Sequence, residues 1–271
     1  MSLIFGYLAA ILMGGVLGLL GGGGSILTVP ILVYLFHLSP LTATGYSLLI
    51  VGLAALIGML GHLRAGRIRL IPGLQFALPA VLGVGLVRQG LLPALPRVLW
   101  HWGDFTLSLD LAMMGLFAVA MLLAAGSMLR PAQDSGHEQS ETQKPKPASF
   151  WLLGALGLGT GAFAGLIGAG GGFIIVPVLV SLAGLKIEEA IGTSLLIIAL
   201  QSLSGFAADL AAHPTPDWLL LGGFTLLAGL GVLAGTGIAG RIPASRLKPA
   251  FGWFVLGMGS LILLKTGLEY L

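Results

Sequence analysis

Ten apolar segments divide the chain, and they decide the class of fold it can adopt. They run over residues 3–20, 26–36, 41–60, 70–87, 105–129, 150–167, 173–183, 190–210, 218–239 and 250–268. A helix needs about 20 apolar residues to cross a bilayer, with a range of about 17–25, and eight of the segments have that length. Only 8% of the residues are charged and 56% are hydrophobic. The sequence therefore predicts an all-α polytopic membrane protein with about 8–10 transmembrane segments.

The remaining composition excludes several classes of function. The absence of cysteine excludes disulfides, thiolate chemistry and cysteine-ligated metals. The net charge of +3 is typical of a membrane protein whose cytoplasmic loops carry an excess of lysine and arginine. The sequence contains no run of basic residues with interleaved aromatics, which would indicate a nucleic-acid partner. The N-terminal apolar run lacks a basic region in front of it, so we interpret it as the first membrane segment rather than as a signal peptide.

A polar stretch between the fifth and sixth segments separates two parts of similar length. Residues 130–149, "RPAQDSGHEQSETQKPKPAS", contain proline and many charged or polar residues and show no hydrophobic periodicity. This composition is typical of a flexible linker. We therefore predict a first membrane repeat over 1–129, the linker over 130–149, and a second membrane repeat over 150–271.

The two parts are predicted to be copies of each other. When the sequence is shifted by 147 positions, residues 18–58 lie over 165–205 without a gap, and about 20 of 41 positions are identical. "GLLGGGGSILTVPILVYL" then matches "GLIGAGGGFIIVPVLVSL", with Pro30 over Pro177 and Ser47 over Ser194. Such a gapless match indicates an internal duplication.

The two short segments, 26–36 and 173–183, decide whether the copies are parallel or inverted. If both cross the membrane, each copy has five crossings and the second is upside down; if both are re-entrant, the copies are parallel. The inverted arrangement, with the N-terminus outside, puts ten of the 13 basic residues inside, against seven for the parallel one, and the positive-inside rule therefore favours inversion. The ten are Arg64, Arg67, Arg69, Arg130, Lys144, Lys146, Lys186, Arg241, Arg246 and Lys248, and the outer three are Arg88, Arg97 and Lys265.

Two glycine-rich stretches between apolar segments are the candidate substrate site. Most of the 44 glycines are expected to allow close helix packing, including Gly14, Gly15, Gly157, Gly159 and Gly161. Consecutive glycines can also point successive N–H groups into one concavity that attracts an anion, and broken transporter helices use this arrangement. The candidate residues are Gly21, Gly22, Gly23, Gly24 and Ser25 in the first stretch, and Gly168, Gly170, Gly171 and Gly172 in the second.

Polar side chains near these stretches are the candidate side-chain donors. They are Ser47, Thr193, Ser194 and Gln201. Membrane serine and threonine often bond only to their own helix, whereas an amide within a span needs a partner, either another helix or a substrate. Pro30 and Pro177 follow the glycines and are expected to keep the next segment irregular. Gly23→Val or Gly170→Val is expected to abolish transport without preventing insertion.

No catalytic or metal-binding motif accompanies these residues. "GYS" and "GTS" lack the closing glycine of a nucleophile elbow, HExxH is absent, and no GK[ST] follows "GGGGS". Asp110 and Asp209 fall near segment ends, and the segments have no carboxylate pair and no lysine, arginine or histidine at mid-span, so no proton relay of the usual kind is visible. The chain is predicted to be no enzyme, to use no cofactor and to hold an anion by neutral donors and helix ends.

The doubled pattern "GLxGxGGGxxxxPxL", at 18–32 and 165–179, resembles the sulfite exporter TauE/SafE family, as do "ATGYSLL" and "AIGTSLL". The first copy departs from the second at Gly22 and Ser25, which stand where the second has Ala169 and Gly172. The resemblance implies a permease in a bacterial or archaeal inner membrane that exports sulfite, sulfoacetate or a similar organosulfonate.

We interpret the chain as an alternating-access transporter of a small anion, in contact with the lipid bilayer and with a coupling proton as a possible second partner. A passive anion channel and a non-transporting membrane scaffold are the alternatives.

Overall fold

The computed structural model describes residues 2–102, 105–129, 150–212, 215–239 and 244–268, and the predicted linker lies outside them. Eleven helices are found in these ranges, two of them, α2 and α5, of seven and three residues. They are α1 (Ser2–Leu20), α2 (Thr28–Tyr34), α3 (Pro40–Arg64), α4 (Leu70–Gly85), α5 (Leu92–Ala94), α6 (Leu109–Leu129), α7 (Phe150–Ile167), α8 (Gly172–Ser181), α9 (Ile187–Ala212), α10 (Trp218–Ile238) and α11 (Ala244–Leu268). A 3-10 helix (Gly23–Leu27) precedes α2, and a π-helical stretch (Leu86–Leu91) joins α4 to α5.

The helices have the length and composition of a multi-pass membrane protein. Within the described ranges, seven are long and apolar enough to cross a bilayer, and three shorter apolar stretches, Ile4–Leu20, Gly23–Tyr34 and Gly172–Ser181, accompany them. Large apolar side chains are exposed on the outer faces of the bundle, where lipid replaces water as the solvent. Examples are Leu12, Leu82, Leu123, Leu226 and Leu261. The predicted fold class, an all-α polytopic membrane protein, is confirmed.

A short β-hairpin interrupts the otherwise helical chain. Strand β1 (Val98–Trp102) pairs antiparallel with β2 (Phe105–Ser108), so residues 105–108, predicted to begin the fifth apolar segment, are extended. Aromatic and β-branched residues favour a strand here. The Ser108 hydroxyl then accepts a hydrogen bond from the Leu111 N–H at 3.2 Å and caps the start of α6.

Close helix contacts fix the relative directions of the long helices. A Cβ on Gly14 would overlap the Ala228 carbonyl and one on Gly18 would meet Val232, so α1 and α10 run parallel. The pairs Gly157–Phe76 and Gly161–Ala80 make α7 parallel to α4 in the same way. Small residues at these positions allow the backbones to touch, as predicted for Gly14, Gly157 and Gly161. Gly159, in contrast, has no atom of another helix near its Cβ position and faces outward.

The central helix α3 runs in the same direction as α1. The Tyr46 hydroxyl lies 2.6 Å from the Asp217 amide nitrogen, and Ile57 meets Gly229, so α3 is parallel to α10 and hence to α1. The chain must therefore return between α1 and α3, through the 3-10 helix and α2. It does so: the Phe36 ring, just after α2, packs edge-on against Tyr7 in the first turns of α1, with 5.3 Å between ring centroids.

The helix pairing is unchanged when the two parts of the chain are exchanged. α1 packs on α10 and α7 on α4; α3 packs on α9, α4 on α9 and α10 on α3. α3 and α9 run antiparallel, since Gly45 meets Asp209 and Gly58 meets Leu195. An inverted duplication would produce this pairing; the duplication itself stays a prediction.

The described basic side chains separate towards the two ends of the bundle. Arg67 pairs with Glu188 at 3.3 Å and Arg69 with Glu189 at 2.6 Å where α3, α4 and α9 meet, and Lys186 lies at the same end. The hydrogen bond to Glu189 raises the pKa of the Arg69 guanidinium. Arg130, Lys144, Lys146 and Arg241, and the side chains of Arg246 and Lys248, lie outside the described set.

Candidate functional site

The two glycine stretches meet inside the bundle. We call residues 21–25 the first break and 168–172 the second break. A Cβ on Gly22 would come within 2.5 Å of the Gly172 Cα, so the two backbones are in direct contact. The Ser25 hydroxyl donates to the Ala169 carbonyl beside this contact, and all of these residues are buried. The two breaks are thus brought together by bonds between residues far apart in sequence, such as Ser25 to Ala169 at 144 positions and Ser47 to Gly168 at 121.

The backbone of both breaks takes conformations that favour glycine. φ is +69° at Gly21 and +155° at Gly22 in the first break, and +73°, +64° and +64° at Gly168, Gly170 and Gly171 in the second. A residue with a Cβ is strained in this region. The glycines are therefore required by the turn itself, in addition to the close contact between the breaks.

Donor side chains from the two central helices hold the break carbonyls. Ser47 of α3 donates to the Gly168 carbonyl, and Ser194 of α9 donates to the Gly21 carbonyl, each at 2.6 Å. The Gln201 amide nitrogen donates to the Gly170 carbonyl. Because a helix break leaves carbonyls that water cannot reach, such donors satisfy an obligatory requirement. These contacts engage the carbonyl oxygens and leave the N–H groups of the glycines to other partners.

We expect Ser47→Ala and Ser194→Ala to weaken the breaks. Each change leaves one buried carbonyl without its donor, which costs about 1–3 kcal/mol. Both variants should melt at lower temperature than the wild-type protein in detergent and show reduced transport.

Ser204→Ala is the matched control for both serine variants. The Ser204 hydroxyl, also on α9, donates only to the Gln201 carbonyl of its own helix, so its loss should be nearly neutral. Equal effects for all three variants would contradict a specific role for the break contacts.

The second break is held by more side chains than the first. Ser25, Ser47 and Gln201 all donate to its carbonyls, whereas position 54, which corresponds to Gln201 in the first copy, is alanine. Beside Gly170 and Gly171, the Ser202 hydroxyl and the Gln201 amide oxygen are buried without a hydrogen-bond partner in the described chain. Thr28, just after the first break, has the same property. Buried polar groups of this kind call for an explanation, and an absent ligand is one.

The other predicted site residues occupy different places. Thr193 accepts a hydrogen bond from the Arg69 N–H at 3.0 Å, so it links α9 to the start of α4 rather than to a break. Pro30 lies in the first turn of α2, where its missing N–H costs nothing. Pro177 lies inside α8, which continues through it to Ser181. The irregular backbone is thus at the glycines, and the short helices after them are regular enough to form.

One prediction is wrong: a positive charge does lie within a span. The apolar segment ends at Val87, and the sequence therefore predicts that Arg88 lies in the connection after it. Helical structure instead continues from α4 through the π-helical stretch to Ala94, and Arg88 is 1% exposed. Its Nη1 donates to Asp209 Oδ1 of α9 at 3.0 Å. Two features of the sequence could have indicated this ion pair: Arg88 stands between two apolar runs, and Asp209 lies late in the eighth apolar segment.

No group of three or more histidine, aspartate or glutamate side chains in the described ranges could hold a metal ion.

Comparisons with known proteins agree in pointing to one family. The family model for the sulfite exporter TauE/SafE matches residues 6–262. A probable membrane transporter protein of Xylella fastidiosa strain 9a5c is 32% identical over 259 residues, which cover 94% of this chain and 92% of the relative. Probable membrane transporter protein YunE of Bacillus subtilis is 24% identical, with 81% and 82% covered, and MJ0441 of Methanocaldococcus jannaschii is 26% identical, with 75% and 72% covered. No solved structure matches the chain.

Proposed function

The chain belongs to the sulfite exporter TauE/SafE family and is a multi-pass membrane transporter, and from that premise we propose that it moves a small oxyanion by alternating access. The expected substrates are sulfite or an organosulfonate such as sulfoacetate. The family description supports the sulfur oxyanion, and the neutral donors around the breaks support an anion more generally.

The contact between the two breaks is the observation that carries this proposal. Gly22 and Gly172 touch inside the bundle, where helices from both parts of the chain meet. Broken transporter helices bind substrate at such an interface with backbone N–H groups and helix ends. The hydroxyl of Ser202, which has no hydrogen-bond partner among the described residues, adds a donor beside the second break. We infer that the anion binds there, against Gly170 and Gly171.

The helix pairing, which is unchanged when the two parts of the chain are exchanged, supports the alternating-access part of the proposal. If the halves are inverted copies, each can adopt the conformation that the other has, and the exchange opens the site to the opposite side. We propose that the end with Arg64, Arg67, Arg69 and Lys186 faces the cytoplasm, because basic loops are retained on that side. Ser47 and Ser194, which correspond under the 147-residue shift, then hold opposite sides of one site.

Counterflow of radiolabelled sulfite into proteoliposomes tests the proposal. Vesicles loaded with unlabelled sulfite should accumulate label transiently and saturably, and sulfoacetate should compete better than lactate. Saturable counterflow establishes a carrier, whereas non-saturable flux with measurable conductance establishes a channel. If the folded protein moves none of these anions, the proposed substrate class is wrong, and a scaffold becomes the better interpretation.

A further inference from the structure

Arg88 has donors that its one ion pair does not use. Only Nη1 contacts Asp209, while Nε and Nη2 are buried and have no hydrogen-bond partner among the described residues. The guanidinium carries five N–H groups, and leaving them unpaired away from water costs free energy. A neutral amide pair at positions 88 and 209 would avoid this cost, so a purely structural role explains the unpaired donors of Arg88 poorly.

The unused atoms form the edge of the guanidinium that recognises oxyanions. The Nε–H and one N–H of Nη2 point in the same direction and can donate to two oxygens of one carboxylate, sulfite or sulfonate group. Arg69 uses these two nitrogens to donate to one carboxylate oxygen, Glu189 Oε1, at 3.1 and 2.6 Å. In Arg88 the same edge is buried and unoccupied by any described side chain.

The local backbone directs Arg88 into the bundle. Residue 88 lies in the π-helical stretch Leu86–Leu91, and one extra residue per turn changes the direction in which the following side chains point. Single π-helical turns within α-helices occur frequently at functional sites. This stretch packs against α7 and α9, and the Arg88 side chain is buried.

A cavity with polar and apolar lining residues lies beside Asp209. Its volume is about 220 Å³, and Asp209, Thr42, Tyr46 and Thr215 are among its lining residues. A Cβ on Gly45 would overlap the Asp209 carboxylate, and the neighbouring Thr44 contacts Gly168 of the second break. The ion pair is therefore beside Gly45, the neighbour in α3 of the residue that contacts the second break, and its Asp209 also lines the cavity.

We propose that Arg88 binds the transported oxyanion through its Nε–Nη2 edge, at a second position on the path between this cavity and the second break. Asp209 is the resident counter-ion that holds the guanidinium in place when no anion is bound, and it turns towards the cavity when one is. This proposal rests on the proposed function and adds to it a fixed positive charge that recognises the anion.

The double variant Arg88→Gln/Asp209→Asn separates this role from a structural one. It replaces the ion pair by a neutral amide pair of similar size, so no unpaired charge remains buried. Sulfite-dependent thermal stabilisation of the purified protein in detergent is the readout, because it reports binding without transport. We expect the sulfite concentration for half-maximal stabilisation to rise at least about tenfold, since a bidentate charge-assisted contact is lost.

Two further variants keep the test decisive. Arg67→Gln/Glu188→Gln removes an ion pair at the opposite end of the bundle, where both side chains are about half or more exposed, and should leave the sulfite response unchanged. Arg88→Lys retains the positive charge but not the two-donor edge of the guanidinium. If the double variant does not fold, the sulfite-dependent stabilisation of Arg88→Lys tests the role of Arg88 instead. A clearly weakened response to sulfite is expected for it as well.

The outcomes distinguish this inference from the proposed function. A wild-type sulfite response in the folded double variant, or in Arg88→Lys, would overturn the role of Arg88 even if counterflow is normal. A wild-type protein that sulfite, sulfoacetate and sulfate all fail to stabilise would overturn it too. Stabilisation that depends on Arg88, without any counterflow, would support the site and contradict transport.

Discussion

Gly161→Leu is expected to prevent stable folding, because α7 and α4 touch through this residue. A Cβ at position 161 would overlap the Ala80 carbonyl group, so the two helices would have to separate along their length. Overpacking usually costs about 1–3 kcal/mol, and a contact with backbone rather than a flexible side chain cannot relax by a rotamer change. We expect a loss of at least about 3 kcal/mol, seen as aggregation in fluorescence-detected size-exclusion chromatography and a lower melting temperature.

Gly159→Leu is the matched control for this change. It introduces the same side chain on the same helix two residues earlier, at a position where the Cβ would meet no atom of another helix within 4 Å. The substitution should leave folding and counterflow intact, because the new side chain enters lipid. If both variants failed equally, general intolerance of α7 to leucine, and not the α7–α4 contact, would explain the loss.

Gly22→Ala is expected to abolish transport and to destabilise the protein. The backbone at Gly22 has a φ of +155°, and an added Cβ would lie 2.5 Å from the Gly172 Cα. Backbone strain of about 1–3 kcal/mol and overpacking of about 1–3 kcal/mol act together, so the expected loss is roughly 2–6 kcal/mol. Thermal denaturation in detergent and sulfite counterflow at matched protein density measure the two effects separately.

Gly23→Ala serves as the comparison, since it lies next to Gly22 but has more space. Its Cβ would approach the ends of Leu20, Met128 and Phe251 at 3.3–3.4 Å, which small side-chain movements can relieve. We expect it to retain most of its stability. Gly170 combines a φ of +64° with Val51 and Ile198 at 3.0 and 3.1 Å, so Gly170→Val remains a severe change. Equal loss in Gly22→Ala and Gly23→Ala would contradict the contact between the breaks.

The sequence by itself determined the class of fold and where its helices break. Apolar stretches of span length have few stable forms in lipid, since each backbone N–H and C=O must be paired within the segment. The membrane spans were therefore predictable from local composition. The two glycine stretches were also predictable from local sequence, because a backbone position that needs positive φ is nearly always occupied by glycine.

Only the tertiary structure decided which polar residues matter and what they bond to. The partners of Ser47, Ser194 and Arg88 lie 121 or more residues away in sequence, and helix pairing alone brings them together. Gly159 and Gly161 look alike in sequence, but one faces outward and the other contacts a backbone. The burial of Arg88 depended on helical structure continuing past an apolar segment, stabilised by packing on α7 and α9. Local pattern sets which segments enter the membrane, whereas contacts between distant helices set what each side chain meets there.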